Sequence, residues 1–166
     1  DLVDKAVKMC KSLTDLSTIK KCDTLGKKGK DVLKVLGLKE RADYVIGNPP
    51  YAPMEKDIVI DTDDYNFLRS VKDAGSNLFI AAIYRAFEIT KDEGYISYII
   101  LKNFLHVRSY SVLRREILNS KRIVSIIDIG AYFSGVRGEQ IVLTLQNSHK
   151  SDNEIRIMKL DDHKFV

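Results

Sequence analysis

The chain has 166 residues, 45% hydrophobic and 30% charged, with 3 prolines, 2 cysteines and no tryptophan. That balance excludes a disordered or collagen-like polymer and suits one domain that folds without a disulfide or metal staple. The net charge of +4 is too small to name a partner. The longest apolar run, 95–101, falls far short of the ~20 residues that cross a bilayer, which argues against a membrane span. No secretory leader pattern opens the chain, and Cys10 and Cys22 lack disulfide or metal-ligand spacing. A reducing cytoplasm without a bound metal is therefore expected.

Along the chain, Leu2, Val3, Ala6, Val7 and Leu13 predict an amphipathic helix over 1–13 that packs on something. A short strand is expected at 18–22, a brief helix or turn at 32–38, and a buried strand at 42–47 ending in glycine. Residues 52–75 are rich in Asp and lack sustained periodicity, as a long functional loop would. Ser76 is a candidate cap for a helix whose apolar face runs from Leu78 to Ile89, stopped by Lys91-Asp92-Glu93-Gly94. A buried strand follows at 95–101. Next comes a helix at 109–118, with Val112, Leu113, Ile117 and Leu118 inward and Arg114 and Arg115 outward. Further strands are predicted at 123–129, 140–145 and 154–160, the last with Ile155, Ile157 and Leu160 on one side. Helices alternating with strands predict an α/β fold: a mostly parallel sheet, helices on both faces, and an antiparallel edge at the end. Basic residues gather at 20–41 and again at Lys102, Arg108, Arg114, Arg115, Lys121, Arg122 and Arg137, which makes phosphate a plausible partner.

Chemistry concentrates where the 42–47 strand opens into Asn48-Pro49-Pro50-Tyr51. In open α/β sheets, ligands bind beyond the carboxyl ends of strands, which is where this tetrapeptide should stand. Both prolines fix φ and lack N–H donors, so the loop is stiff and offers carbonyl oxygens without competing donors. Asn48 adds a side-chain carbonyl, and Tyr51 a flat ring with a polar tip. Two acceptors converging on an exocyclic amine hold both its hydrogens and localise its lone pair. The nitrogen becomes a nucleophile towards an activated methyl group without a strong base, through positioning and electrostatics. A base in a duplex would have to flip out, and stacking on Tyr51 would offset part of that cost. Four letters alone could equally be an ordinary turn; the preceding Asp-x-Val-Ile-Gly strand weighs against that.

With these residues the chain resembles the class I, Rossmann-like amino-methyltransferases, and most closely the adenine-specific DNA methyltransferases of restriction-modification systems, single-chain type II enzymes in particular. The resemblance continues through Asn77-Leu78-Phe79, the Lys-x-x-Gly turn and strand over 91–101, Asn103-Phe104-Leu105, Leu113-Arg114 and the strand-turn-strand over 126–145. It implies that Asn48, Pro49, Pro50 and Tyr51 hold a flipped adenine, with Phe133 as another wall of its pocket. It implies S-adenosyl-L-methionine as methyl donor, with Asp23, Asn48 and Asn77 on the cofactor side, and double-stranded DNA as partner, with a nuclease domain or subunit in the parent protein. The three histidines show no such pattern.

The chain departs from that family where the donor's methionine end and ribose are bound. A Gly-rich loop after a first strand and an acid after a second are not seen: Gly26 to Gly29 follows the wrong element, and Gly135 to Gly138 comes too late. The expectation is a single domain over 1–166, the C-terminal part of a catalytic domain with its first strands missing. Such a piece would be inactive alone and, through its uncovered edge, prone to self-association. Competing readings are methylation of a protein glutamine amide or of RNA, and a non-catalytic DNA-binding or assembly module of the same fold.

Overall fold

The computed structural model describes residues 2–13, 19–25, 29–53, 77–133, 138–148, 154–161 and 164–165. Its helices are α1 (Leu2–Leu13), α2 (Gly29–Leu36), α3 (Leu78–Ile89) and α4 (Ser111–Ser120). Its strands are β1 (Ala42–Gly47), β2 (Thr90–Leu101), β3 (Arg122–Gly130), β4 (Gln140–Gln146), β5 (Arg156–Asp161) and β6 (Lys164–Phe165). They form one sheet in the order β1-β2-β4-β3-β5-β6. β1 and β2 are parallel, as are β3 and β5, while β4 runs antiparallel between β2 and β3 and β6 antiparallel at the far end. The mixed α/β sheet is the expected one, with a second antiparallel strand placed inside it as well as at its edge.

The core lies on one face. Ile96 and Ile100 of β2 and Ile141, Leu143 and Leu145 of β4 pack against Phe79, Ile83 and Tyr84 of α3 and Leu113 and Ile117 of α4. The expectation of helices on both faces is corrected here. The connections β1-α3-β2 and β2-α4-β3 advance in the same direction across the sheet, so right-handed crossovers put both helices on one side. Of the other face, Tyr44 and Ile46 of β1 are 68% and 80% exposed.

Several local expectations change for identifiable reasons. Residues 19–25 make no strand; the Arg85 Nε instead donates to the Thr24 carbonyl at 2.8 Å and fixes this segment to α3. The described side chains of α1 are mostly exposed, so the helix forms without a covered apolar face. In α4 only Leu113 and Ile117 are buried, one i,i+4 pair, while Val112 and Leu118 are exposed. Arg114, expected outward, donates to the Phe104 and Val107 carbonyls at 2.7 and 2.8 Å. Ile155 and Ile157 are exposed, and Met158 and Leu160 are the partly covered residues of β5. The loop expected at 52–75 is described only at Ala52 and Pro53, and Ser76 lies outside the described residues. Asn77 caps α3 instead, its Oδ1 accepting from Phe79 N at 3.3 Å.

The Lys91-Asp92-Glu93-Gly94 stop is absorbed into β2 as an irregularity. Ala42 pairs with Thr90 but Tyr44 with Tyr95, and Glu93 takes φ +64°. The Asn147 amide fills the gap, its Nδ2 donating to Thr90 O at 3.0 Å and to Phe87 O and Lys91 O at 3.3 Å. A Cβ on Gly94 would stand 2.9 Å from the Asp43 carbonyl, which belongs to the strand carrying the tetrapeptide.

A buried charge pair ties three elements. Arg85 is 7% exposed and bonds Glu88, whose other oxygen accepts from Gly29 N at 2.6 Å at the start of α2. Breaking a buried pair leaves a charge without compensation, which costs about 3–5 kcal/mol. A Cβ on Gly29 would collide with the Glu88 carboxyl group. Gly29→Ala should therefore lower unfolding free energy by about 2–4 kcal/mol in urea denaturation, approaching the loss caused by Glu88→Ala. Gly94→Ala should destabilise by about 1–3 kcal/mol, because the obstructing atom is backbone and cannot swing away. Unaltered denaturation midpoints would contradict either packing account.

Candidate functional site

β1 pairs with β2 up to Gly47, which stands opposite Tyr98. Glycine suits the place, since a Cβ would lie 3.0 Å from the Tyr98 ring and would press it aside by a few tenths of an ångström. Beyond it Asn48 and Pro50 are exposed, Pro49 is buried, and Tyr51 is half-buried. The Tyr51 hydroxyl sits 2.5 Å from Asn48 Oδ1 and 3.0 Å from the Ile99 carbonyl of β2. Burial pushes the Tyr51 phenol up, so it remains a protonated donor in neutral solution. An amide oxygen has two lone pairs, so Asn48 Oδ1 can take the tyrosine proton and still accept another donor. No N–H of Pro49 or Pro50 can satisfy it.

The loop is held from behind. Asn77 Nδ2 donates to the Tyr51 carbonyl at 2.9 Å, Leu78 N to the Ala52 carbonyl at 2.8 Å, and Pro53 bridges Asn77 in antiparallel fashion. Asn77 thus serves the cap of α3 with its oxygen and the tetrapeptide with its nitrogen. One N–H and one lone pair of its amide are engaged within the chain, and through them it fixes Tyr51.

A cavity of about 360 Å³ opens beside Asn48, between the 22–25 segment and the end of β1, with Asp23, Leu25, Ile46, Ala82 and Tyr98 in its lining. Asp23 and Asn48, some two dozen residues apart in sequence, are brought to one space. Asp23 Oδ1 accepts from Leu25 N at 3.2 Å, and the Arg85 bond to Thr24 holds the same wall. Tyr98, readable from sequence as a strand residue, lines this cavity, and burial pushes its phenol up to about 12. The signal for it was Gly47, whose missing side chain makes room for the ring. Phe133 lies outside this lining. It stands just past β3, 36% exposed, with its ring edge-on to Tyr132 at 5.3 Å. Cys22 also lines the cavity, with its thiol free.

A second polar group was not legible in sequence. Lys102, directly after β2, reaches Asp128 of β3 at 2.8 Å and Glu139 before β4 at 2.6 Å. The two carboxylates hold its ammonium up at about 12, and Lys102 in turn holds the Asp128 carboxyl below its usual range. Several members of the second basic set are thus engaged within the protein, Arg122 with Gln146 at 3.2 Å included. No described helix is long and apolar enough to cross a membrane.

Residues 3–133 match the Eco57I restriction-modification methylase family. The chain is 28% identical over 116 residues to an adenine-specific methyltransferase, BrxX, of Escherichia coli O9:H4 (strain HS), covering 68% of this chain and 10% of that protein. It is 27% identical over 121 residues to a Methanocaldococcus jannaschii protein described as a type II restriction enzyme and methyltransferase, covering 70% of this chain and 10% of the relative. In structure it is similar to a class I S-adenosylmethionine-dependent methyltransferase of Listeria monocytogenes, with a TM-score of 0.63 at 17% identity, covering 76% of this chain and 39% of that one. The chain therefore spans about a tenth of the curated relatives it matches. With a Rossmann-like sheet that presents Asn-Pro-Pro-Tyr at a strand's carboxyl end, and a family match across most of its length, the chain belongs to the Eco57I restriction-modification methylases.

Proposed function

We propose that this chain is the amine-gripping part of a DNA adenine-N6 methyltransferase that uses S-adenosyl-L-methionine and serves a restriction-modification system. The observation that carries the reading is Asn48: exposed at the end of β1, its oxygen aligned by Tyr51, and followed by two prolines that bring no N–H donor. Asn48 Oδ1 and the Pro49 carbonyl accept the two hydrogens of a flipped adenine's amine, which draws the nitrogen from planar towards tetrahedral and concentrates its lone pair. Tyr51 stacks on the ring. The nitrogen's surplus proton leaves to water, so no strongly basic side chain is required.

The cavity fits the adenosine end of the donor. The Asp23 carboxylate is the acceptor for that amine, beside Leu25, Ile46 and Ala82 as apolar walls, with Tyr98 in the same lining. When bound, the donor supplies an electrophilic sulfonium methyl. This chain's part is to keep the 22–25 wall and Asn48 at a set separation, through Arg85 on one side and Asn77 on the other. Double-stranded DNA is the partner, and a nuclease domain or subunit of the parent protein is the companion activity.

The test uses a polypeptide that contains this chain and extends to the relatives' length, with labelled methyl transfer measured on DNA, RNA and a release-factor protein. Asn48→Ala should lower transfer to DNA by about 10²-fold or more, the scale of losing one preorganised polar contact in a transition state. Tyr51→Phe keeps the ring but frees Asn48 Oδ1, and should lose less than Tyr51→Ala, which also forfeits stacking worth about 1–3 kcal/mol. Undiminished transfer by Asn48→Ala would refute the mechanism; label appearing in RNA or protein in place of DNA would refute the substrate.

A further inference from the structure

The last residues of β2 touch both sides of the proposed base site. Ile99 O lies 3.0 Å from the Tyr51 hydroxyl, and three residues on, Lys102 is joined to both limbs of the β3–β4 connection. Its ammonium lies 2.8 Å from Asp128 and 2.6 Å from Glu139, and its backbone N–H donates to the Glu139 carbonyl at 2.8 Å. Asp128 is itself a corner piece: its other oxygen accepts from Gly130 N at 3.0 Å, and Gly130 turns the chain with φ +60°. Tyr132 and Phe133 follow that corner, two aromatic rings 55% and 36% exposed. In the sheet order only β4 separates β2 from β3, and both run antiparallel to it, so the Ile99 carbonyl beside the Tyr51 hydroxyl and the corner after β3 stand at the same end of the sheet, on strands whose axes are about 10 Å apart.

We infer that Lys102 is a positioning residue for the target base: by clasping Asp128 and Glu139 it sets the distance between Tyr51 and the Tyr132-Phe133 wall. This rests on the amine-gripping reading above. An isolated exposed ion pair contributes little to stability. Lys102 differs in that one ammonium serves two carboxylates on opposite limbs of one loop, and one of those carboxylates also pins the turn. Its effect falls on the population of a loop position more than on folding.

The experiment uses the full-length protein and a duplex carrying the sequence it methylates, with either adenine or an abasic residue at the target. The ratio of the two affinities isolates contacts to the base. Lys102→Met should reduce the adenine-to-abasic ratio by about two- to fivefold, the range open to a partly exposed ion pair of this kind, with abasic-duplex and donor affinities unchanged. Lys102→Arg should keep most of the ratio. High salt should erode the ratio in the unaltered protein and leave that of Lys102→Met nearly constant. Asp128→Asn and Glu139→Gln, which leave Lys102 in place, should each reproduce part of the loss, and they decide the matter should Lys102→Met melt early. An unchanged ratio, or equal weakening on both duplexes as from a lost phosphate contact, overturns the inference alone. Absence of methyl transfer by the unaltered protein overturns the methyltransferase reading together with it.

Discussion

The Tyr51 hydroxyl lies within reach of both Asn48 Oδ1 and Ile99 O, and so binds the loop after β1 to the backbone of β2. Most of what the site does depends on that bond. An asparagine at the end of a strand has freedom about its terminal torsion, and an amide that can rotate presents oxygen and nitrogen with similar ease. A donor placed on its oxygen selects the orientation in which the oxygen is the acceptor. The prolines complete the selection by removing backbone N–H groups that would compete for it. In the proposed reading, recognition of an amine begins with what the loop lacks as much as with what it carries.

The same logic explains a charged pair buried inside α3. Arg85 and Glu88 could be replaced in principle by apolar residues without loss of fold, since buried ion pairs often contribute little net stability. What apolar residues could not do is reach the Thr24 carbonyl and Gly29 N–H together. The pair thus fixes two segments that have no strand ladder of their own, and one of them carries Asp23. Its value lies in geometry: the wall of the cavity has a definite place relative to Asn48.

Much of the fold was legible because its signals are local. The glycine at the end of β1, the apolar face of α3 and the β-branched run in β2 each report burial directly. The tetrapeptide was legible for the same reason, since its chemistry is contained in four neighbouring residues. The errors share one cause, which is that coverage is decided by distant elements. Val112, Leu118, Ile155 and Ile157 are as apolar as their buried neighbours, yet no described element covers them. The placing of helices on both faces failed because handedness depends on strand order, and β1, β2 and β3 advance in one direction across the sheet. Asn147 and Lys102 were silent for a related reason: a polar residue after a strand reads as surface until the carbonyls or carboxylates it meets are known.

β1 carries the reactive loop and stands at the end of the strand order, paired only with β2 among the described residues. The β1–β2 ladder ends at Gly47, so the tetrapeptide beyond it has no ladder of its own. In the proposed reading, a loop that holds an amine in one place could not rely on the strand alone. Anchors independent of the ladder supply the difference. Asn77 grips the Tyr51 backbone, Tyr51 grips β2, and Lys91 reaches back to Asp43 at 3.0 Å near the start of β1. Each joins the β1 segment to α3 or β2, the elements that share the buried core, so the rigidity of the core is carried outward to the loop after β1. Precision at the periphery then becomes a matter of which polar groups reach inward, and the tetrapeptide can remain open while its accepting oxygen stays in one place.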